Sequence, residues 1–242
     1  MKIIKIHSKS NYIFGNHAES ILLSLSFIVV LWLVYVLVLL FPEQSVQLGI
    51  QSQHFKGLIG ILFSPLIHSP TDVYHIINNS VPAFVLLYAL FYFYRKIAFK
   101  IFLFSWLFTG LLVWIIAKND NAYHIGLSGV IYALFSFLLF SGTISKFKPL
   151  QALSLFVVFL YGSMVWGIFP QEEKISWEGH LSGFVVGIFL TIFFRKQFPV
   201  NPKYQYEIEK ELGIEPPDLE EEWKKIQEEM EYYKRNDLME KD

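Results

Sequence analysis

The sequence Gly126-Leu127-Ser128-Gly129 opens an uncharged apolar segment that runs from Ile125 to about Ser145. In a membrane helix, a serine usually bonds to a carbonyl one turn earlier and has no further role. The alternative is that the Ser128 hydroxyl is chemically active. The choice between the two depends on whether the rest of the chain supplies polar partners at the same depth.

The composition is that of a membrane protein, since 54% of the 242 residues are hydrophobic and 18% are aromatic. Residues 203–242 hold 14 acidic and 7 basic residues, whereas the chain before them holds 7 acidic and 13 basic. The basic residues stand singly at the ends of apolar segments, so we expect no nucleic-acid partner. The absence of cysteine excludes disulfides, thiolate catalysis and cysteine-ligated metals.

Six apolar segments predict six transmembrane helices, because about 20 apolar residues cross the hydrocarbon core of a bilayer. The first has no small-residue cleavage site after it and is therefore interpreted as a span, not as a signal peptide. The predicted spans are Ile21 to Phe41, Val73 to Tyr94, about Ile101 to Ala117, Ile125 to about Ser145, Pro149 to Phe169, and Trp177 to Phe194.

Basic residues predict the orientation of the spans, because Lys and Arg concentrate in cytoplasmic loops. With six spans, all the basic clusters fall on one side: 2–9, 95–100, 146–148 and 195–196. Both termini are then cytoplasmic, and spans two, four and six begin at the outer face. This places His75, Ser128 and His180 at one depth. Polar groups inside a membrane usually face a bundle interior or a watery cavity, so three at one depth indicate a site.

The predicted organisation has three parts: a cytoplasmic segment 1–20, a membrane domain 21–196 and a charged cytoplasmic tail 197–242. Between the first two spans, residues 42–71 are half apolar but interrupted by glycine and proline. We expect a piece lying in the interface or a re-entrant structure packed against the helices.

The tail carries one apolar pattern, within Asp218 to Arg235. Apolar residues recur there at spacings of three and four, which predicts a short amphipathic helix: Trp223, Ile226, Met230 and Tyr233. In the simplest interpretation, this helix only presents a solvated charged face. In the more specific one, it docks against the protein or against a cytosolic partner.

Pairs of polar residues four apart share one face of a helix. His75 and Asn79 form such a pair, and both can donate hydrogen bonds toward a common point. They are equally compatible with a bridge between membrane helices. Ser128 and Tyr132 are also four apart, and by itself Tyr132 is only a packing residue.

Glycines at every fourth residue of the sixth span predict a groove without side chains, against which another helix can press closely: Gly179, Gly183 and Gly187. The fourth span offers Gly126 and Gly129 as its own small surface. If these two spans pack together, Ser128 and His180 come within hydrogen-bonding distance.

A serine beside a histidine predicts nucleophilic catalysis, because histidine can take the hydroxyl proton. Backbone N–H groups at the start of the fourth span, with His75 and Asn79, are candidate donors to an oxyanion. The carboxylates near this level lie only at segment boundaries, so a dyad is expected: Asp72, Asp120, Glu172, Glu173 and Glu178. Glu178 is two residues from His180 and points elsewhere, and we interpret it as an interfacial charge.

A metal site is the competing chemistry for the histidines of this region: His68, His75, His124 and His180. The chain lacks an HExxH-type pair and any inward carboxylate. We therefore expect neither a metal nor another cofactor.

The motifs and their order resemble those of the rhomboid intramembrane serine proteases. The match runs from about Gly57 to Phe194 and consists of HxxxN at His75 to Asn79, GxSG at Gly126 to Gly129, Tyr132, and GHxxGxxxG at Gly179 to Gly187. The resemblance implies a six-helix catalytic core at about 57–194, with Ser128 as nucleophile and His180 as base. It also implies that Tyr132 packs on the imidazole, and that His75, Asn79 and the Ser128 amide stabilise the oxyanion.

The function expected from this resemblance is hydrolysis of peptide bonds in or near transmembrane helices of other membrane proteins, close to the outer face. Such substrates and the lipid bilayer are the expected partners, and a bacterial cytoplasmic membrane is the expected location. Water should reach Ser128 through an outer cavity lined by Asn78 and Ser80. A non-catalytic adaptor or quality-control protein is the main alternative, and a transporter is disfavoured by the apolar mid-span regions.

Overall fold

A computed structural model describes residues 14–118, 122–170, 176–200, 205–214 and 218–239. The chain divides into two compact units, Met1–Val200 and Asn201–Asp242. The first unit contains all the apolar segments, and the second contains most of the acidic residues.

Helices dominate the first unit. In chain order they are α1 (His17–Leu40), α2 (Pro42–Val46), α3 (Gly60–Phe63), α4 (Val73–Phe93), α5 (Ala98–Ile116), α6 (Ser128–Ile144), α7 (Lys148–Tyr161) and α8 (Trp177–Phe194). Short 3-10 helices lie at Phe55–Ile59, Ser64–Leu66, Gly162–Ile168 and Arg195–Gln197. Strands β1 (Ile50–Gln51) and β2 (Tyr123–His124) pair antiparallel, with Ile50 opposite His124.

Five helical segments are long and apolar enough to cross a membrane: His17–Leu40, Val73–Phe93, Ala98–Ile116, Lys148–Ile168 and Trp177–Gln197. The chain is therefore an integral membrane protein. Helix α6 is also apolar, but its 17 residues fall short of the roughly 20 that a span normally needs. The predicted count of six spans depends on this helix.

Helix α6 is the most enclosed element of the bundle. It packs against α4, α5, α7 and α8, and its side chains are mostly buried, with Phe135 and Phe137 completely inaccessible. The outer helices instead expose large apolar side chains, such as Leu33 on α1 and Phe159 on α7. Since protein surrounds most of α6, its length need not match the thickness of the bilayer.

Helix α1 begins at His17, four residues earlier than its apolar run predicts. The side chain of Asn16 accepts hydrogen bonds from the backbone N–H groups of Ala18 and Glu19. This N-cap satisfies donors that would otherwise be free at the helix start. The polar first turn is therefore helical, although hydropathy does not reveal it.

The predicted fifth span is not one continuous α-helix. Helix α7 ends at Tyr161, and the chain continues as the 3-10 helix Gly162–Ile168. Helix α8 has the predicted bounds, whereas α6 begins at Ser128 and not at Ile125. Ser128 is thus the first residue of its helix.

The connection 42–71 packs against α5, in agreement with the second of its two interpretations. Trp106 donates its indole N–H to the carbonyl of Leu62 at 3.1 Å, and Trp114 donates to the carbonyl of His54 at 3.0 Å. A Cβ atom at Gly57 would overlap the backbone of Gln51. The two indole hydrogen bonds thus hold the connection to α5, whereas the contact at Gly57 packs the connection against itself.

The second unit contains two helices, α9 (Gln205–Glu211) and α10 (Leu219–Met239). Helix α10 confirms the predicted amphipathic helix and extends it beyond Arg235, and its start is capped by Asp218, which accepts from the N–H of Glu220. Helix α9 was not predicted, because its short polar sequence has no clear apolar period.

Several predicted features lie outside the described residues. They include the basic cluster 2–9 and three of the carboxylates at segment boundaries: Asp120, Glu172 and Glu173. The orientation drawn from the basic clusters stays a prediction.

Candidate active site

Ser128 and His180 meet where α6 and α8 begin. The hydroxyl oxygen of Ser128 lies 3.0 Å from Nε2 of His180. Both residues lie in the first turn of their helices. The predicted hydrogen-bonding distance between them is therefore observed.

Close packing of α6 on α8 makes this contact possible. A Cβ atom at Gly183 would overlap the carbonyl oxygen of Gly129, and one at Gly187 would overlap the hydroxyl of Ser136. Only glycine allows the two backbones to approach so closely. These two positions confirm the predicted groove on α8.

Gly179 does not belong to the tight part of that groove, contrary to the prediction. A Cβ atom there would lie 3.3 Å from its nearest neighbour, the hydroxyl of Ser176. The carbonyl of Gly179, not its Cα hydrogens, faces Gly129, because a Cβ atom at Gly129 would lie 3.1 Å from that oxygen. The first glycine of the repeat thus lies one turn before the region in which the backbones of α6 and α8 approach most closely.

The second ring nitrogen of His180 is held by a backbone group. Nδ1 lies 3.0 Å from the carbonyl oxygen of Gly167, in the 3-10 helix that follows α7. A carbonyl only accepts, so Nδ1 carries the proton, and Nε2 of the neutral ring accepts from Ser128. Glu178 does not take this role. Glu178 is largely buried within the protein, and its interpretation as a charge at the membrane interface stays a prediction.

Tyr132 covers one face of the imidazole. Its ring is stacked on that of His180, with centroids 4.2 Å apart and an interplanar angle of 7°. Stacking restricts rotation of the imidazole about its side-chain bonds. Tyr132, one turn after Ser128, therefore contacts the proposed base and is not only a packing residue.

His75 and Asn79 of α4 reach the site beside Gly126, where the absence of a side chain leaves room for them. A Cβ atom at Gly126 would lie 2.6 Å from Nε2 of His75 and 3.8 Å from Nδ2 of Asn79. The φ angle of Gly126 is +111°, a conformation that favours glycine. Its N–H donates to the carbonyl of Ser64 at 2.9 Å. The prediction that Gly126 packs on the sixth span is wrong, because Gly126 makes room for α4.

His68 holds the side chain of Asn79 by a hydrogen bond. The amide Nδ2 of Asn79 donates to Nε2 of His68 at 3.1 Å, and His68 is completely buried. Burial, with a smaller effect of nearby His75, lowers the pKa of His68 from 6.5 to about 3. His68 is therefore neutral and accepts the bond that orients Asn79.

No group of three metal-binding side chains occurs among the described residues. Two of the histidines proposed as ligands bond to other side chains, His68 to Asn79 and His124 to the hydroxyl of Ser176 at 2.8 Å. The described part of the chain thus offers no built metal centre.

The N-terminus of α6 presents backbone donors at the site. No side chain of the described residues caps this helix. The first N–H groups of a helix have no partner within it and carry the positive end of the helix dipole. The N–H groups of Ser128 and Gly129 can therefore bind a negatively charged oxygen.

Comparison with protein families identifies the chain. The rhomboid domain model matches residues 56–197, which is more than half of the sequence. The chain belongs to the rhomboid family.

Relatives of this rhomboid occur in mycobacteria. It is 30% identical to the uncharacterized protein Rv1337 of Mycobacterium tuberculosis over 175 residues, which cover 68% of this chain and 70% of the relative. It is 28% identical to the uncharacterized protein ML1171 of Mycobacterium leprae over 204 residues, 81% of this chain and 77% of the relative. Proteins of the rhomboid family are typically intramembrane serine proteases.

A cavity of about 40 Å³ lies beside Ser128 in this rhomboid. One water molecule occupies roughly 10–15 Å³ by such a measure, so the space admits water. Thr109 of α5 lines it, and the buried hydroxyl of Thr109 has no hydrogen-bond partner among the described residues. Asn78 and Ser80, which were predicted to line the water path, are not among the residues that line this cavity.

Sequence reasoning missed three residues that shape the rhomboid site: Gly167, Ser176 and Thr109. Gly167 lies near the end of the predicted fifth span, where hydropathy does not show that the α-helix gives way to a 3-10 helix. Ser176 lies between the fifth and sixth spans, just before α8. Thr109 is a small polar residue on the buried face of an apolar helix. The sequence did show a hydroxyl within an apolar span, and a buried hydroxyl normally has a hydrogen-bonding partner.

Proposed function

We propose that this rhomboid is a serine endopeptidase that cleaves transmembrane segments of other membrane proteins. The observation that carries the proposal is the 3.0 Å contact between Ser128 Oγ and His180 Nε2, with Nδ1 held by the Gly167 carbonyl. A neutral imidazole in this tautomer is ready to accept the serine proton.

In the first half of the reaction, Ser128 Oγ attacks the carbonyl carbon of the substrate peptide bond and its proton passes to Nε2 of His180. The C–N bond then breaks as the imidazolium returns that proton to the leaving amine. The products are a free amine and an ester between Ser128 and the remaining acyl group. The Gly167 carbonyl stabilises the imidazolium formed between these steps.

The tetrahedral intermediate carries a negative oxygen that needs fixed donors. The N–H groups at the start of α6 are the first candidates. Nε2 of His75 and the second amide hydrogen of Asn79 approach the same region from α4, across Gly126. We assign His75 and Asn79 this supporting role.

Hydrolysis of the ester requires water inside the membrane. The cavity beside Ser128 is the proposed store, with Thr109 as a hydrogen-bonding partner for the water. Nε2 of His180 would remove a proton from the water as the water oxygen attacks the ester carbonyl carbon. The bond to Ser128 Oγ then breaks as the imidazolium returns that proton to Oγ, and the acyl group leaves as a carboxylic acid that ionises in water.

The proposed arrangement in the bilayer has α1, α4, α5, α6, α7 and α8 as six spans, with both termini and the tail 197–242 cytoplasmic. The site then lies near the outer face, where a substrate helix can unwind next to water. The mycobacterial relatives support a bacterial cytoplasmic membrane.

The test is labelling of the purified protein by a fluorophosphonate, which reacts only with activated serines. We expect Ser128→Ala to abolish labelling and His180→Ala to reduce its rate on the order of 10³-fold or more. Ser182→Ala, which removes a buried hydroxyl from the same helix as His180, is the matched control and should label normally.

Cleavage of a single-span substrate in proteoliposomes completes the test. Loss of cleavage in the same two variants supports the endopeptidase. Folded, unaltered protein that neither labels nor cleaves would overturn the dyad and leave an adaptor that binds transmembrane helices without cutting them.

A further inference from the structure

Helix α10 of the second unit exposes a row of apolar side chains. The row, named here the tail seam, comprises Leu219, Trp223, Ile226, Met230 and Tyr233. Each is between 47% and 71% exposed. Exposed apolar residues that stand singly need no explanation, but five in one row indicate a surface that something covers.

The spacing of the tail seam is four, three, four, three. Such a heptad pattern keeps apolar residues on the side of a helix that meets a second, nearly parallel helix. The residues between them are mostly charged, and a solitary 21-residue polar helix is marginally stable in water. A partner helix therefore stabilises α10 as well as covering the seam.

A bilayer surface is a poor cover for this seam. Residues 203–242 hold 14 acidic and 7 basic residues. Anionic lipids attract basic segments and repel acidic ones. The partner must instead present acidic and basic groups at matching positions.

We propose that the tail seam binds the same seam of a second copy of this chain, in a parallel two-stranded coiled coil. In that arrangement, Glu229 lies opposite the Lys234 of the second copy, five residues further along, and the pair occurs twice by symmetry. Glu222 lies opposite the uncharged Gln227. No like charges meet beside the seam.

An antiparallel arrangement fits the charges less well. It pairs Glu220 with Lys234, but it also brings the two copies of Glu229 together at the symmetry axis. Since flanking charges set the orientation of coiled coils, the parallel arrangement is favoured.

Membrane anchoring raises the effective concentration of two tails. A seam of two heptads binds weakly between free molecules, but copies confined to one bilayer meet at a much higher local concentration. The pairing therefore needs the full chain in a membrane.

The absence of native cysteines allows a direct test in proteoliposomes of the full-length protein. Ile226→Cys places one thiol in the seam, and Glu228→Cys places one on the opposite side of α10. Under mild oxidation we expect Ile226→Cys to form a disulfide-linked dimer at least roughly fivefold faster than the control. Equal rates in the two variants, or no dimer from Ile226→Cys, overturn the proposal.

Charge exchange tests the orientation in the Ile226→Cys background. Glu229→Lys alone and Lys234→Glu alone each turn attraction into repulsion between copies, and each should slow dimer formation roughly fivefold. Combining the two should restore the rate, because residues five apart do not face each other within one helix.

Failure of the combined variant to recover overturns the parallel pairing. Fast disulfide formation between one copy with Ile226→Cys and another with Met230→Cys, without self-pairing of Ile226→Cys, identifies an antiparallel pair and also overturns it. Protection of the Ile226→Cys thiol from a water-soluble maleimide, with no dimer, places the seam on lipid or on another protein instead.

Discussion

The carbonyl oxygen of Gly167 and Nδ1 of His180 lie 3.0 Å apart, joining the 3-10 helix after α7 to the base of the candidate dyad. A carboxylate commonly orients the histidine of a serine protease. Here a neutral backbone dipole does so, in a site where a buried carboxylate would be costly. The position of this 3-10 helix thus controls which ring nitrogen of the proposed base carries the proton.

Gly167→Ala should impair the site without unfolding the protein. A Cβ atom there would overlap the hydroxyl of Tyr132 and lie 3.3 Å from Nδ1 of His180. Displacing the ring by about 1 Å should slow fluorophosphonate labelling up to about 10²-fold. Gly162→Ala, at the start of the same 3-10 helix, meets its nearest atom at an ordinary 3.5 Å and should label normally. Equal labelling of the two variants would contradict the role of Gly167.

Two glycines of one repeat should differ sharply in their tolerance of substitution. Gly183→Ala forces a methyl group into the backbone of α6 and should cost about 2 kcal/mol or more in the free energy of unfolding. Gly179→Ala meets only the hydroxyl of Ser176, at 3.3 Å, and should cost less, because a shift of a few tenths of an ångström relieves this contact. Thermal unfolding in detergent measures both. Similar losses would mean that Gly179 also lies in the tight contact.

The contact between Ser128 and His180 could be predicted because its cause is local in the sequence. Apolar runs mark the helices, and glycines spaced by four mark the face on which two helices pack. Once Gly183 faces Gly129, the first turns of α6 and α8 lie side by side. These relations need only helical periodicity.

The remaining part of the site depends on where irregular backbone runs. The change to a 3-10 helix after Tyr161, which delivers the Gly167 carbonyl, leaves no period in the sequence. Gly126 could be seen as small, but only its φ angle and the position of His75 reveal which helix it accommodates. Such features follow from tertiary packing and not from propensity.

Tyr132 should act through its ring and not through its hydroxyl. Tyr132→Phe keeps the ring that is stacked on His180 and should label within about threefold of the unaltered protein. Tyr132→Leu removes the flat surface, allows the imidazole to rotate and should slow labelling roughly tenfold. The rates are compared at one pH after confirming equal thermal stability. A larger loss in the phenylalanine variant than in the leucine variant would transfer the role to the hydroxyl.

His68 should make the protein less stable as the pH falls. The pKa of buried His68 is about 3, whereas an ordinary histidine, as in the unfolded chain, has a pKa of 6.5. Between these values the unfolded chain binds one proton more than the folded one. The stability contributed by neutral His68 is therefore complete above about pH 6.5 and is lost progressively toward pH 3, with a slope of up to about 1.4 kcal/mol per pH unit.

His68→Gln separates this effect from the titration of other groups. Its amide oxygen can still accept from Asn79, but it takes up no proton. In thermal unfolding series at pH 7, 6, 5 and 4, the stability of His68→Gln should fall less steeply than that of the unaltered chain, and the two curves should converge or cross as the pH decreases. Parallel curves over the whole range would show that His68 is protonated equally in the folded and unfolded states. His68 could then not be the neutral acceptor of the hydrogen bond from Asn79.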